Sequence, residues 1–303
     1  MKRFFSIKNV ILTIFLLLFT IFSIIKSIEY NNSFRIEHTN LQQEIEKCND
    51  NTYTINDPSY SEYCSRIKNL PNYKEDFFST LSNMIVFDFG FLNPFAFLIL
   101  IIPSLIYICD VLRYKYIINS TTRTSYHSFL KHFYINSFKY IWILPVIALI
   151  IMIPICFYTT FDPSFANFYE TSIWNSNIIK YPFIFILLYL VNIILYSISF
   201  INISLIIARK QHNYIKAIIL SYITYIGIEL FFELIVNELI LKIVFNVQFG
   251  YLLNIMNLFT FNTQYGVINL LLFSFIFCIS TFIILILKYK NKEKLIIDCE
   301  KNN

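Results

Sequence analysis

Glycine is nearly absent: the 303 residues include only four, Gly90, Gly227, Gly250 and Gly266. A phosphate cradle needs several glycines close together, so neither G-x-x-x-x-G-K-[ST] nor G-x-G-x-x-G can be drawn. The chain has no such route to a nucleotide, and any ATP it depends on is handled by another polypeptide. Charge is scarce too. Asp, Glu, Lys and Arg make up 14% of the residues, against about a quarter in soluble domains. None of the four histidines, His38, His127, His132 and His212, stands in an H-E-x-x-H context, and the six cysteines contain no C-x-x-C. The common zinc-site spacings are therefore excluded.

Apolar residues fill the chain instead, at 57% of the total with a mean hydropathy of +0.60. They come in blocks. A spanning helix needs roughly 20 apolar residues, and runs near 9–28, 91–112, 140–160, 181–207, 217–236 and 266–287 qualify. The expected fold is an all-α membrane protein with six transmembrane helices in one domain. The first run follows Met1-Lys2-Arg3 like a signal peptide, but its exit (Ile24-Ile25-Lys26-Ser27-Ile28-Glu29) offers no small-residue cleavage site. It reads as a retained span.

Lysine and arginine set the orientation. With the N-terminus inside, the inner segments hold Lys2, Arg3 and Lys8; Arg113, Lys115, Arg123, Lys131 and Lys139; Arg209, Lys210 and Lys216; and Lys288, Lys290, Lys292, Lys294 and Lys301. The two later outer segments hold only Lys180 and Lys242, which fits the excess of positive charge on the cytoplasmic side. Both ends are expected in the cytoplasm. This distribution accounts for the formal charge of +5 and implies no nucleic-acid partner. Residues 29–90 form an extracytoplasmic region, read as a cap or partner contact. Its Cys48 and Cys64 have a disulfide open to them outside the cytoplasm.

Two further stretches stand out. Thr121–Tyr140 places Tyr126, Phe129, Leu130, Phe133, Tyr134 and Phe138 at helical spacing, which predicts an amphipathic helix on the inner membrane surface. Asn237–Asn262 is too apolar for a solvated outer loop. It is expected to form a re-entrant hairpin of two short helices, about 237–247 and 250–259, broken near Gly250. A seventh span there is the alternative, but it would put the basic C-terminus outside.

The fifth span carries Glu229 and Glu233, four residues apart and expected on one helix face, with Glu238 and Lys242 repeating that spacing. A short or tilted helix would let both acids reach interfacial water; otherwise a carboxylate within a bilayer marks a pathway or an internal partner, which makes Glu229, Glu233 and Glu238 candidates for a translocation path or gate. Catalysis is disfavoured: no second helix supplies matching groups, and no Ser/His/Asp set falls at one depth. Pro94, Pro103, Pro145 and Pro154 invite kinks in spans two and three.

Taken together, these features resemble the membrane subunit of a bacterial ABC-2-type transporter. The sharpest local likeness is Thr121–Lys131 (TTRTSYHSFLK), similar to that family's "TR-x-S … K" stretch through Thr122, Arg123, Ser125 and Lys131. The resemblance implies a multi-pass protein of the bacterial cytoplasmic membrane that is not itself an enzyme. It implies a second permease copy or paralogue, and a cytoplasmic ABC ATPase subunit that binds ATP and Mg. The ATPase would couple through Arg113, Lys115, Arg123, Ser125, His127 and Lys131. The cargo would be a peptide, lipid or drug-like amphiphile. The competing reading is an integral membrane binding, immunity or sensor protein that needs no ATPase.

Overall fold

A block of twenty apolar residues without glycine satisfies its backbone most cheaply as a helix, and the described chain is helix almost throughout. The computed structural model describes residues 77–82, 92–112, 114–159, 181–211, 213–244, 253–263 and 266–300, with isolated positions elsewhere such as Ile25, Cys48, Cys64, Phe161 and Trp174. No strand occurs among the described residues. The expected first span, most of 29–90, Arg113 and Gly250 lie outside them.

In chain order the helices are α1 (Phe77–Ser82), α2 (Leu92–Val111), α3 (Tyr114–Arg123), α4 (Tyr126–Phe138), α5 (Ile143–Tyr158), α6 (Pro182–Ala208), α7 (Tyr214–Leu230), α8 (Ile255–Thr260), α9 (Val267–Tyr289) and α10 (Lys292–Glu300). Four continuous helical stretches are long and apolar enough to cross a bilayer, and α2 with the bent-off α3 makes a fifth candidate. The chain is thus a membrane-type helical protein. Leu92–Val111, Pro182–Ala208 and Val267–Tyr289 start and stop within two residues of the expected runs 91–112, 181–207 and 266–287, whereas Tyr126–Phe157 and Tyr214–Val244 run well past 140–160 and 217–236.

Two expectations are corrected. The first concerns the surface helix. Instead of lying apart from span three, α4 runs through a 3₁₀ turn at Lys139–Trp142 into α5, giving one rod from Tyr126 to Phe157. No glycine or proline interrupts residues 121–144. Pro145 lies in the first turn of α5, where a missing N–H is tolerated, and the 3₁₀ turn just before it is where the lost bond is absorbed. The element that breaks away is α3, at 67° to α2.

The second correction concerns the re-entrant hairpin. Residues 237–244 continue span five as a π-helix, Phe231–Val244, so no separate helix begins at 237. From 228 to 249 the sequence has neither glycine nor proline to stop it. The second expected helix is present in shortened form as α8, folded back against α6, α7 and α2.

The hub is α6, packed by α2, α5, α7, α8 and α9. Its Phe185, Tyr189, Tyr196 and Phe200 are buried, and Phe200 meets Phe97, Tyr225 and Phe277 edge-on or tilted. By contrast α7 exposes Ile219, Ile223, Leu230 and Leu234 along its outer face, as a span in contact with lipid does. Gly266 enters α9 at φ +102°, a backbone region that side chains rarely adopt.

Cys48 and Cys64 are joined in a disulfide across a separation of 16 residues, while Cys109, Cys156, Cys278 and Cys299 are free thiols. A mass-tagging maleimide applied to the chain denatured without reductant should therefore add four tags, and six after reduction. Six tags without reduction would show that the bond does not form.

Candidate functional site

Inside the bundle α8 is an irregular piece of backbone among apolar helices. Six residues leave most of its N–H and C=O groups without intrahelical partners. In a low-dielectric interior each unanswered group is costly, so side chains must answer them. Three do. At its N-terminal end Glu229 Oε2 accepts the Ile255 N–H at 3.1 Å. On one flank Asn192 Nδ2 donates to the Leu258 carbonyl. At its C-terminal end Trp174 Nε1 donates to the Thr260 carbonyl at 3.3 Å. The chain then turns at Phe261, whose φ of +54° is the left-handed value that ends many helices. Its buried ring packs between Phe185 and Tyr189.

A second layer holds these side chains. Asn192 Oδ1 accepts from Ser274 Oγ, which links α6 to α9. One level further along, Asn202 Nδ2 donates to Thr281 Oγ1 at 3.2 Å. On α7 the buried positions are Ala217, Ser221, Tyr225 and Glu229, an i, i+4 stripe facing α6 and α2. Tyr225 stacks on Phe97 with centroids 4.6 Å apart, and Tyr196 packs on Phe200 and Phe259.

Glu229 and Glu233 differ in what covers them. Glu229 is 5% exposed and bonded to α8, whereas Glu233, one turn later, is exposed. Glu238 lies on the exposed side and pairs with Lys242 at 2.7 Å, at the expected spacing. A solvated pair of that kind contributes little to stability.

A separate polar knot ties the other end of the bundle. Arg209, at the C-terminus of α6, is buried and its Nε and Nη2 approach Asp298 Oδ2 of α10 at 2.8 and 2.7 Å. The guanidinium also lies 5.9 Å from the ring centre of Tyr289. Tyr289 donates to the Leu205 carbonyl at 2.7 Å, and Tyr126 donates to the Tyr289 carbonyl at 2.6 Å. One knot thus joins α4, α6, α9 and α10. Arg209 is also well placed against the negative end of the α6 dipole.

The residues expected to couple to a partner are dispersed around this end. Arg123, Ser125, His127 and Lys131 are exposed. Ser125 caps α4, accepting from the Ser128 N–H at 3.3 Å. Lys115 falls within α3. Arg209, Asp298, Asn192 and Trp174 were missed by sequence reasoning. Arg209 was counted only as inner-side charge, although an arginine just past a span with an Asp in the following tail was the available signal.

An apolar cavity of about 30 Å³ lies among Leu81, Ile99, Leu144, Met152, Tyr189 and Phe259. No cluster of three or more metal-ligating side chains occurs among the described residues. Compared with protein-family models, curated proteins and solved structures, the chain finds no match.

Two outcomes follow. Arg209→Met removes the guanidinium that bonds Asp298 and should cost about 1.5–3 kcal/mol. Asn192→Leu strands the Leu258 carbonyl and should cost about 1–3 kcal/mol. Both are read as lowered unfolding midpoints in lipid nanodiscs, with the exposed Ile223→Val as a control that shifts little. Equal, small shifts for all three would remove the two clusters from the account. Burial, reinforced by the Asp298 charge and opposed by Arg209, also pushes the Cys299 thiol from 9.0 up to about 12. The folded chain holds this proton more tightly, so the stabilisation is complete below pH 9 and is lost as pH rises towards 12. Alkylation of Cys299 at pH 8 should accordingly wait on unfolding.

Proposed function

We propose that this chain is the permease subunit of an ATP-driven bacterial exporter, with six spans and both ends of the chain on the cytoplasmic side. Two copies, or one copy with a paralogue, form the path in the cytoplasmic membrane. A separate ABC ATPase subunit binds ATP and Mg and supplies the force. The cargo is an amphiphile of the peptide, lipid or drug-like kind.

The observation that carries this reading is the platform at the Arg209 end. There α3 leaves α2 at 67° and packs against α10, and exposed Arg123, Ser125, His127 and Lys131 follow on the α3–α4 corner. A short helix set across the axis of the spans, next to a capped helix that continues into a span, passes an external push into the bundle as a lever does. Glu229 and Glu233 stand on the span that would line or gate that path, with Glu238 nearer its end.

The Cys48–Cys64 disulfide favours a second reading. A stapled segment in an oxidising compartment suits a protein that binds a peptide or partner outside the cell, with no ATPase. Purification in nanodiscs separates the two. The exporter reading expects a co-purifying, vanadate-sensitive ATPase in fixed ratio, and Arg123→Glu with Lys131→Glu should lower that ratio by about tenfold without unfolding the chain. A folded chain that purifies alone from membranes containing the ATPase sinks the exporter reading.

A further inference from the structure

Glu229 stands fifteen residues from either end of the Tyr214–Val244 stretch, at its middle. Taken as a helix at 1.5 Å per residue, that stretch measures at most about 46 Å, longer than the roughly 30 Å hydrocarbon core. The carboxyl group therefore lies close to the bilayer centre, where ionisation is costly. Two opposing influences meet on it. Burial favours the neutral acid. The Ile255 N–H aimed at Oε2 favours the carboxylate.

The surrounding side chains point the same way as that N–H. Tyr225 lies one turn before Glu229 on the same buried face, and Tyr196 of α6 lies beside it. Both tyrosines are 1% exposed, and their phenol groups face each other beside Glu229. Phenols can turn their O–H groups to a carboxylate, or accept from a carboxylic acid, as few other buried groups can. From α2 the facing group is the Phe97 ring, stacked on Tyr225, and from α8 it is the Ile255 amide. Glu233, the next acid on the span, is turned outward.

We infer that Glu229, with Tyr196 and Tyr225, is a proton-binding site at the centre of the bundle, and that its occupancy sets how firmly α8 is docked. Ionised, Glu229 holds the N-terminal end of α8 through a charge-assisted bond, stronger than its neutral counterpart. Taking a proton from solvent at one oxygen turns the acceptor into a donor and removes the charge. The bond to Ile255 then weakens, while Asn192 and Trp174 keep the rest of α8 in place. The N-terminal end swings and the C-terminal end is the hinge. A metal cation is a poorer occupant, because no cluster of three or more ligating side chains forms among the described residues. The inference does not depend on an ATPase partner.

The test uses the full chain in nanodiscs, followed by infrared difference spectroscopy through a pH titration. A protonated-carboxyl C=O band that appears on acidification, shifts in D2O and is missing from Glu229→Gln is the expected result. Glu229→Asp should keep a titrating band at a shifted midpoint, which guards against a Gln variant that fails to fold. A nitroxide at Asn254→Cys should gain mobility over the same pH range in the parent. In Glu229→Gln it should be mobile at every pH. Replacing sodium with choline should leave both titrations unchanged. An unaltered band in Glu229→Gln, a nitroxide indifferent to pH in the parent, or a midpoint that follows sodium each overturns the proposal.

Discussion

The structure turns on one requirement: every polar group of a short helix buried among apolar spans has to be answered from within the protein. Water is not available to do it, and hydrocarbon cannot. Glu229, Asn192 and Trp174 come from three separate parts of the chain and converge on α8 for that reason. Their placement in turn fixes the arrangement of α6 against α7 and α9. Ser274 is drawn to Asn192 because the amide's remaining acceptor also needs a donor. The aromatic rings fill the space between these bonds and add packing that is not specific to one register. Polar pairs are: shifting α9 by one residue against α6 would break both the Asn192–Ser274 and the Asn202–Thr281 links.

Hydropathy made the helices at 92–111, 182–208 and 267–289 legible to within a few residues, because the cost of exposing or burying a peptide group is the same whatever the neighbouring helices do. It could not distinguish a span facing protein from a span facing lipid. α6 and α7 read almost alike as apolar runs, yet α6 is the hub and α7 presents much of its surface outward. Both environments are apolar, so the sequence is under the same demand in each. The Glu229–Glu233 pair shows a different limit. Spacing of four does not say which of two acids a neighbouring element covers: Glu229 is buried against α8, and Glu233 is left exposed.

The continuous rod from Tyr126 was misread for a related reason. Its first half has a polar face and its second half does not, and a change of composition looks like a change of element. The helix carries on through that change of composition, and neither glycine nor proline lies between Tyr126 and Leu144 to stop it. Arg209 and Asp298 were hidden by distance along the chain. Each alone reads as a solvated charge at a membrane surface, and only α10 folding back makes them a buried pair. Such a pair is weak evidence for net stability. Its geometric effect is firmer, because it closes the bundle at one end and leaves rearrangement to the other, where α8 is held by three hydrogen bonds.

Exposed apolar surface on α7 says nothing about a partner, since lipid satisfies Ile223 or Leu234 as well as another helix would. Glu233 is more informative. It stands among exposed Leu230, Phe231 and Leu234, a turn from the middle of the span, and hydrocarbon cannot solvate its charge. A carboxyl group in that position calls for water or polar groups from outside the described bundle. A path running between two subunits would supply such an environment, whereas a chain working alone in lipid would not. Under the exporter reading, the surface around Glu233 rather than the packed interior around Glu229 is therefore where cargo meets the protein. The buried acid is left to govern the internal helix.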